Sequence, residues 1–252
     1  NLSNPLSCYD AIKIHKPKAV INAAAYTNVD KAETEEEVAT IINGNSPKAM
    51  AQACATLNIP LVHISTDYVF DGSGDKPWQP KDATKPKNAY GRTKKIGEEG
   101  IRSVDSNYCI LRTSWVVSSH GTNFVKTMLN LSENRDTVNL ISDQIGGPTP
   151  AKDIAKACLQ IVEQLKQEPS KSGTYHFSGT EDVSWAEFAT EIFQQTRRFV
   201  RVIPIPTCDY PTPAVRPLNS RLNCSKTEEI FSIHRPDWRI GLNHILTELG
   251  VV

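Results

Sequence analysis

A tyrosine and a lysine four residues apart, Tyr90 and Lys94 in NAYGRTKK, form a pair that can move a proton. On a helix, residues four apart share a face. An ammonium beside a phenol favours the phenolate and lowers the tyrosine pKa from its usual value of about 10. Such a phenol can exchange a proton with a carbonyl oxygen near neutral pH. The same spacing recurs at Tyr9 and Lys13 in YDAIK, so spacing alone does not define a site. The surroundings separate the two. Upstream of NAYGRTKK, the strand-like run PLVHIS ends in STDYVF, which supplies a hydroxyl, Thr66, able to hydrogen-bond the same carbonyl oxygen. Tyr9 has no such partner and reads as an ordinary surface helix pair.

The elements that must position these residues alternate between strand-like and helix-like. Pro5–His15, Ser46–Leu57, Asn88–Val104 and Asn123–Glu133 carry helical spacing. KAVINAA (Lys18–Ala24), Pro60–Ser65 and NYCILRTSWVV (Asn107–Val117) are short apolar runs of strand length, and Tyr68–Lys87 reads as a loop. Near-continuous apolar strands separated by helices predict an α/β protein with a mainly parallel sheet covered on both faces. In such sheets ligands bind beyond the carboxyl ends of the strands. Three strand ends here turn abruptly to small or hydroxylic residues: NAAAYT (Asn22–Thr27), STDYVF (Ser65–Phe70) and RTSWV (Arg112–Val116).

The texture changes after GGPTP (Gly146–Pro150). A long helix (Ala151–Gln167), the short strand GTYHFSG and a capping box at Ser184 and Glu187 follow, then IPIPTCDYPTPAVRP, whose five prolines predict an irregular loop. A second capping-box pattern, Ser225 with Glu228, opens the final helical region. This divides the chain into a cofactor-type domain, residues 1–148, and a smaller, mainly substrate-binding domain, residues 149–252, with some segments returning to the first.

Bulk properties exclude several function classes. Twenty-eight basic residues balance 28 acidic ones, which gives no electrostatic case for a nucleic acid or an anionic membrane as partner. No apolar run approaches the length of a bilayer crossing. The six cysteines are scattered, with neither disulfide-framework nor zinc-site spacing. No His/Cys/Asp/Glu cluster has ligand spacing, so no metal is expected, and the class expected is a cytoplasmic protein.

Taken in order, STDYVF, YGRTK, RTSWV, DQIGGPTP and RPLNSRL resemble the extended short-chain dehydrogenase/reductases, and within them the reductases of dTDP-4-keto-6-deoxysugars. The resemblance runs from Asn1 to about Gly250. It implies a doubly wound, Rossmann-like sheet, NADPH or NADH as cofactor, a dTDP-sugar substrate, and a monomer or homodimer. The implied reaction reduces the C4 keto group of dTDP-4-dehydrorhamnose. Tyr90 would be the catalytic acid, Lys94 would hold the nicotinamide ribose and tune Tyr90, and Thr66 would hydrogen-bond the reacting carbonyl. Ala25, Tyr26 and Thr27 would line the cofactor, with Asn1 and Leu2 near its adenine, where Asn1 departs from the family's acid. Asp67, Trp115, Arg216 and Asn219 would bind the substrate, the last two at its nucleotide diphosphate end. Two alternatives remain: a non-catalytic subunit resembling the regulatory β subunit of methionine adenosyltransferase, or another sugar-nucleotide epimerase or reductase.

The family's opening strand, glycine-rich turn and helix, which receive a pyrophosphate, have no counterpart in this sequence. Gly72–Gly74 and Gly146–Gly147 do not follow a strand and open a helix. The expectation is that about forty residues, one βαβ unit, precede Asn1. With KAVINAA as strand 3 and PLVHIS as strand 4 of a 3-2-1-4-5-6 order, the two would flank a gap in the middle of the sheet.

Overall fold

The computed structural model describes residues 1–252. In chain order its first half contains α1 (Pro5–His15), β1 (Val20–Asn22), α2 (Val29–Ala32), α3 (Glu36–Thr40), α4 (Ser46–Leu57), β2 (Leu61–Thr66), α5 (Ala89–Arg102), β3 (Tyr108–Thr113), β4 (Val116–Val117) and α6 (Phe124–Leu131). The second half contains β5 (Thr137–Ile141), β6 (Ile145–Gly146), β7 (Thr149–Pro150), α7 (Ala151–Gln167), β8 (Gly173–His176), β9 (Val183–Ser184), α8 (Trp185–Gln195), β10 (Arg201–Ile205), β11 (Asn219–Ser220), α9 (Ser225–Phe231) and α10 (Trp238–Glu248).

The main sheet is parallel, ordered β1-β2-β3-β8. Strands β2 and β3 are buried on both faces, as expected of near-continuous apolar runs, whereas Ile21 of the edge strand β1 is 38% exposed. On one side α7 and Phe231 of α9 pack on Val62, Cys109 and Leu111, and on the other α1, α4 and Ile101 of α5 pack on Leu61 and Ile110. Strand β8 and helix α7 therefore belong to this layer although they follow GGPTP. A second core gathers Val125, Met128, Phe188, Ile192, Trp238 and Leu242 from α6, α8 and α10, beside the two-stranded sheet β5–β10.

Four sequence expectations change. Val20–Asn22 pair directly with Leu61–His63, so β1 and β2 are neighbours and no gap separates KAVINAA from PLVHIS. The segment between them is a helical crossover, and parallel strands joined by such a unit pack side by side. The run NYCILRTSWVV is also broken. β3 stops at Thr113, and Trp115 takes φ +48°, a left-handed conformation that turns the chain before β4 pairs with β7. Ile203–Ile205 of the proline-rich segment form the end of β10, where Pro204 is tolerated because the strand belongs to a two-stranded ribbon. Finally, Ser225 is the first helical residue of α9 and not its cap, whereas the capping box at Ser184 and Glu187 forms in full.

Helix α5 carries Tyr90 and Lys94 and lies unusually close to its neighbours. It starts at Asn88, whose side chain accepts the Gly91 N–H at 2.8 Å. A Cβ on Gly91 would sit 2.2 Å from the Tyr68 carbonyl oxygen, and one on Gly97 2.1 Å from that of Asn43. Only glycine allows α5 to press against both backbones. Alanine at position 97 gains about 1 kcal/mol in helix propensity but meets an overpacking cost of about 1–3 kcal/mol. Gly97→Ala is expected to lower the urea midpoint, with a net loss of up to about 2 kcal/mol. A midpoint at or above wild type would show that the close approach is not needed.

Candidate active site

Beyond the carboxyl ends of β1, β2 and β3 opens a cleft of about 680 Å³. Ala25, Thr27, Thr66, Asp67, Tyr90, Lys94, Ser114 and Trp115 are among the residues that line it. Seven predicted site residues thus converge: Ala25, Thr27, Thr66, Asp67, Tyr90, Lys94 and Trp115. Tyr9 and Lys13 do not. They lie on α1, where Tyr9 packs against the core under α4, so they remain the structural pair the sequence suggested.

Burial dominates the electrostatics. Lys94 is 1% exposed, and its Nζ donates to the Ile64 carbonyl at 2.7 Å and lies 3.2 Å from His63 Nε2. Burial pulls its pKa down to about 8, against the pull of Glu98. Tyr90 goes the other way from the sequence expectation: burial, then the Asp67 carboxylate, push its pKa up to about 12, with contact to Thr66 opposing. A phenolate in a dry, partly anionic pocket is costly, and the lysine charge that would offset it is directed at Ile64 and His63. The pocket therefore keeps Tyr90 protonated at neutral pH.

Asp67 is 2% exposed. Its Oδ1 accepts the Thr66 hydroxyl at 3.0 Å, while Oδ2 has no hydrogen-bond partner. Thr113 Oγ1, also on this cleft, is equally unpartnered. Two orphaned buried oxygens facing one cleft are what a polar ligand would satisfy. Trp115 stacks on Trp185 with centroids 3.6 Å apart and planes at 10°, and Tyr68 meets Tyr90 edge to face at 5.6 Å.

The other predicted residues stand elsewhere. Tyr26 turns outward, its hydroxyl on Glu35 at 2.8 Å, while its backbone N–H and carbonyl are both held by the Asn43 side chain. Asn1 accepts from Ser3 in a local turn, and the Leu2 carbonyl accepts from Ser46 at 2.7 Å. Asn219 is buried and donates to the carbonyls of Ser73 and Lys76, so it holds a loop. Arg216 opens onto a second cleft of about 620 Å³, which shares Tyr68 and Trp185 with the first and includes Arg135. There Arg216 pairs with Asp30 through both guanidinium nitrogens, at 3.0 and 2.8 Å, an interaction that holds Asp30 below the usual carboxylate range.

Sequence reasoning missed Asn22, Asn43, His63 and Glu98. A signal existed for Glu98: it sits four residues after Lys94 on the same helix face, and Arg112 interrupts an apolar strand, which demands a buried acid. The asparagines carried none, because their side-chain partners lie far off in the chain: His63 is 41 residues from Asn22 and Thr93 is 50 from Asn43.

This geometry has known counterparts. A family model described as the RmlD substrate binding domain matches residues 1–251. A dTDP-4-dehydrorhamnose reductase of Escherichia coli is 39% identical over 99% of this chain and 85% of its own length. The chain belongs to the dTDP-4-dehydrorhamnose reductase family. Solved structures of the family superpose closely. A Clostridium acetobutylicum dTDP-4-dehydrorhamnose reductase gives a TM-score of 0.92 at 36% identity, over 99% of this chain and 87% of that one. One from Bacillus anthracis, in complex with NADP, gives 0.90 at 33% identity, over 98% and 86%. These relatives favour a reductase over a regulatory subunit. No group of three or more His, Cys, Asp or Glu side chains gathers where it could hold a metal ion, and no helix is long and apolar enough to cross a membrane.

Asp67 generates a pH-dependent stability effect. Burial pushes its pKa up to about 6. A carboxyl whose folded-state pKa is raised favours folding as the neutral acid, so its cost is absent below about pH 4 and grows as pH rises through 6. Asp67→Asn is expected to stabilise the protein at pH 8 by up to about 3 kcal/mol, a gain that shrinks towards pH 4. Calorimetric Tm values across that range read it directly, and a pH-independent difference would remove the titration from the explanation.

Proposed function

We propose that this chain reduces the C4 keto group of dTDP-4-dehydrorhamnose to give dTDP-L-rhamnose, using NADPH or NADH. The observation that carries the reading is the convergence of buried Thr66 and Lys94 with half-buried Tyr90 on one cleft, in a chain of this family.

The nicotinamide end of the cleft fits such a cofactor. Ala25 and Thr27 offer a thin wall for close approach, and the unpartnered oxygens of Asp67 and Thr113 offer hydrogen-bond sites. Within these 252 residues no glycine-rich turn opens a helix, and the cleft residues fit the nicotinamide end of the cofactor. The cofactor, when bound, supplies a hydride; the chain's own residues do the rest. Tyr90, kept as a neutral phenol by burial, donates its proton to the carbonyl oxygen as negative charge develops there. Thr66 hydrogen-bonds the same oxygen. Lys94 offsets the phenolate left on Tyr90 and holds the ribose hydroxyls.

On the substrate side, Asp67 and Trp115 contact the sugar, with Trp115 held by its stack on Trp185. Arg216, on the adjoining cleft, binds the diphosphate end, where a guanidinium fork suits phosphate oxygens. The reaction is cytoplasmic, consistent with six cysteines that form no disulfide, and the enzyme is a monomer or homodimer.

NADPH oxidation with dTDP-4-dehydrorhamnose as substrate tests the assignment. Tyr90→Phe is expected to lower turnover on the order of 10²–10⁴-fold while calorimetry still detects sugar-nucleotide binding. Near wild-type turnover in this variant would remove Tyr90 from the acid role.

A further inference from the structure

A pocket of about 370 Å³ lies apart from both clefts and plays no part in the reaction above. Four of the side chains that line it are cationic: Lys81 from the loop before α5, Arg102 from the end of α5, Arg112 from β3 and Lys226 from α9. One, Asp82, is acidic, and the hydroxyls of Thr84 and Thr174 complete the polar wall. No residue of this pocket lines the cleft with Tyr90 or the cleft with Arg216.

The bonds of these groups show which charges are spent and which are free. Arg112 is 1% exposed; its Nε and Nη2 donate to Glu98, and its Nη1 donates to the Pro80 carbonyl at 3.2 Å. Arg102 reaches the same carboxylate through Nη2, which also donates to Thr174 Oγ1 at 3.3 Å, so its Nε and Nη1 stay free. Asp82 accepts the Gln79 N–H at 2.7 Å and braces the loop. Lys81 makes no salt bridge, and the Lys226 ammonium lies over the Tyr175 ring, 4.7 Å from its centroid, with no carboxylate partner. Glu98 thus answers two arginines, and Asp82 is the one acid lining the pocket beside two lysines. Four cations against two carboxylates leave two positive charges unmatched.

A structural role accounts for Arg112, whose guanidinium is needed by a buried acid. It does not account for Lys81, Lys226 or the free N–H groups of Arg102. Like charges gathered on one concave surface repel one another and attract an anion. We infer that this pocket binds a phosphate group, carried on a small phosphorylated molecule or as the free ion. A phosphate monoester brings close to two negative charges at neutral pH and several strong acceptor oxygens. A monocarboxylate would leave one positive charge unmatched. Arg102 offers directed N–H donors, the two ammoniums act as point charges, and the threonine hydroxyls add further donors. Buried Arg112 fixes the back of the pocket through its bonds to Glu98 and Pro80.

Calorimetric titration with inorganic phosphate, at an ionic strength held constant with chloride, tests the assignment without turnover. Saturable binding to the wild-type protein is expected. The double variant Lys81→Gln/Lys226→Met keeps the aliphatic stem over Tyr175 but removes both free ammoniums. It should bind phosphate roughly tenfold more weakly or worse, as expected for lost hydrogen bonds to a charged group, with Tm unchanged when phosphate is absent. Lys81→Arg/Lys226→Arg should restore binding, because charge rather than packing is what the anion reads. Arg216→Gln should leave the titration unchanged, since Arg216 opens onto a different cleft. Glycerol phosphate supplies a further arm: tighter binding than phosphate assigns the pocket to a phosphorylated molecule, and equal binding assigns it to the free ion. Absence of saturable phosphate binding would overturn the inference. So would an affinity unchanged in the Gln/Met variant, or one lost only in Arg216→Gln.

Discussion

A carboxylate with no exposure to water holds the catalytic helix in place. Glu98 receives Arg112 Nε and Nη2 at 2.8 and 2.7 Å, the Ser65 hydroxyl at 2.6 Å, and Arg102 from the next turn of α5. These partners come from β2, β3 and α5, so one acid joins the three elements whose ends form the cleft. A bidentate arginine fixes orientation as well as distance. A buried pair adds little net stability compared with apolar packing, but losing one partner costs on the order of 3–5 kcal/mol. Glu98 therefore sets the register of α5 against the sheet more than it adds to overall stability. Lys94, one turn before Glu98, inherits that register.

Given that anchor, steric fit brings α5 closer than ordinary helix packing. Gly91 and Gly97 remove the two side chains that would meet backbone carbonyls. The approach delivers Tyr90 to Thr66 and Tyr68, and it lets Asn43 bridge Tyr26 to Thr93. The same closeness excludes water, and that decides the electrostatics. In a wet helix pair, Lys94 would make Tyr90 more acidic. Here the two charges are expensive individually, and both groups move towards neutrality. For a reduction this is the useful direction, since the phenol must hold its proton until an alkoxide forms.

Trp115 shows how local strain serves the site. Its left-handed backbone ends β3 and starts the turn into β4, a conformation that costs a non-glycine residue of order 1–3 kcal/mol. The stack on Trp185 fixes the ring where the two clefts meet. Tyr68 lies beside it, so the cleft with Tyr90 and the cleft with Arg216 share two lining residues, Tyr68 and Trp185.

Much of this could be read from residue order. Alternating apolar strands and helices specified a parallel sheet, because strands buried on both faces must be apolar throughout. Strand-end hydroxyls and the Tyr90–Lys94 spacing located the cleft, because sheet geometry places ligands at carboxyl ends. Strand order did not follow from the sequence: β1 and β2 pair directly, and only a long-range register settles that. Nor did the sign of the pKa shifts, since spacing supplies a neighbouring charge but not the dryness that outweighs it. The chain Asn22–His63–Lys94 was equally hidden, because its members come from three separate elements and hydrogen-bond only after the sheet and α5 have closed around them.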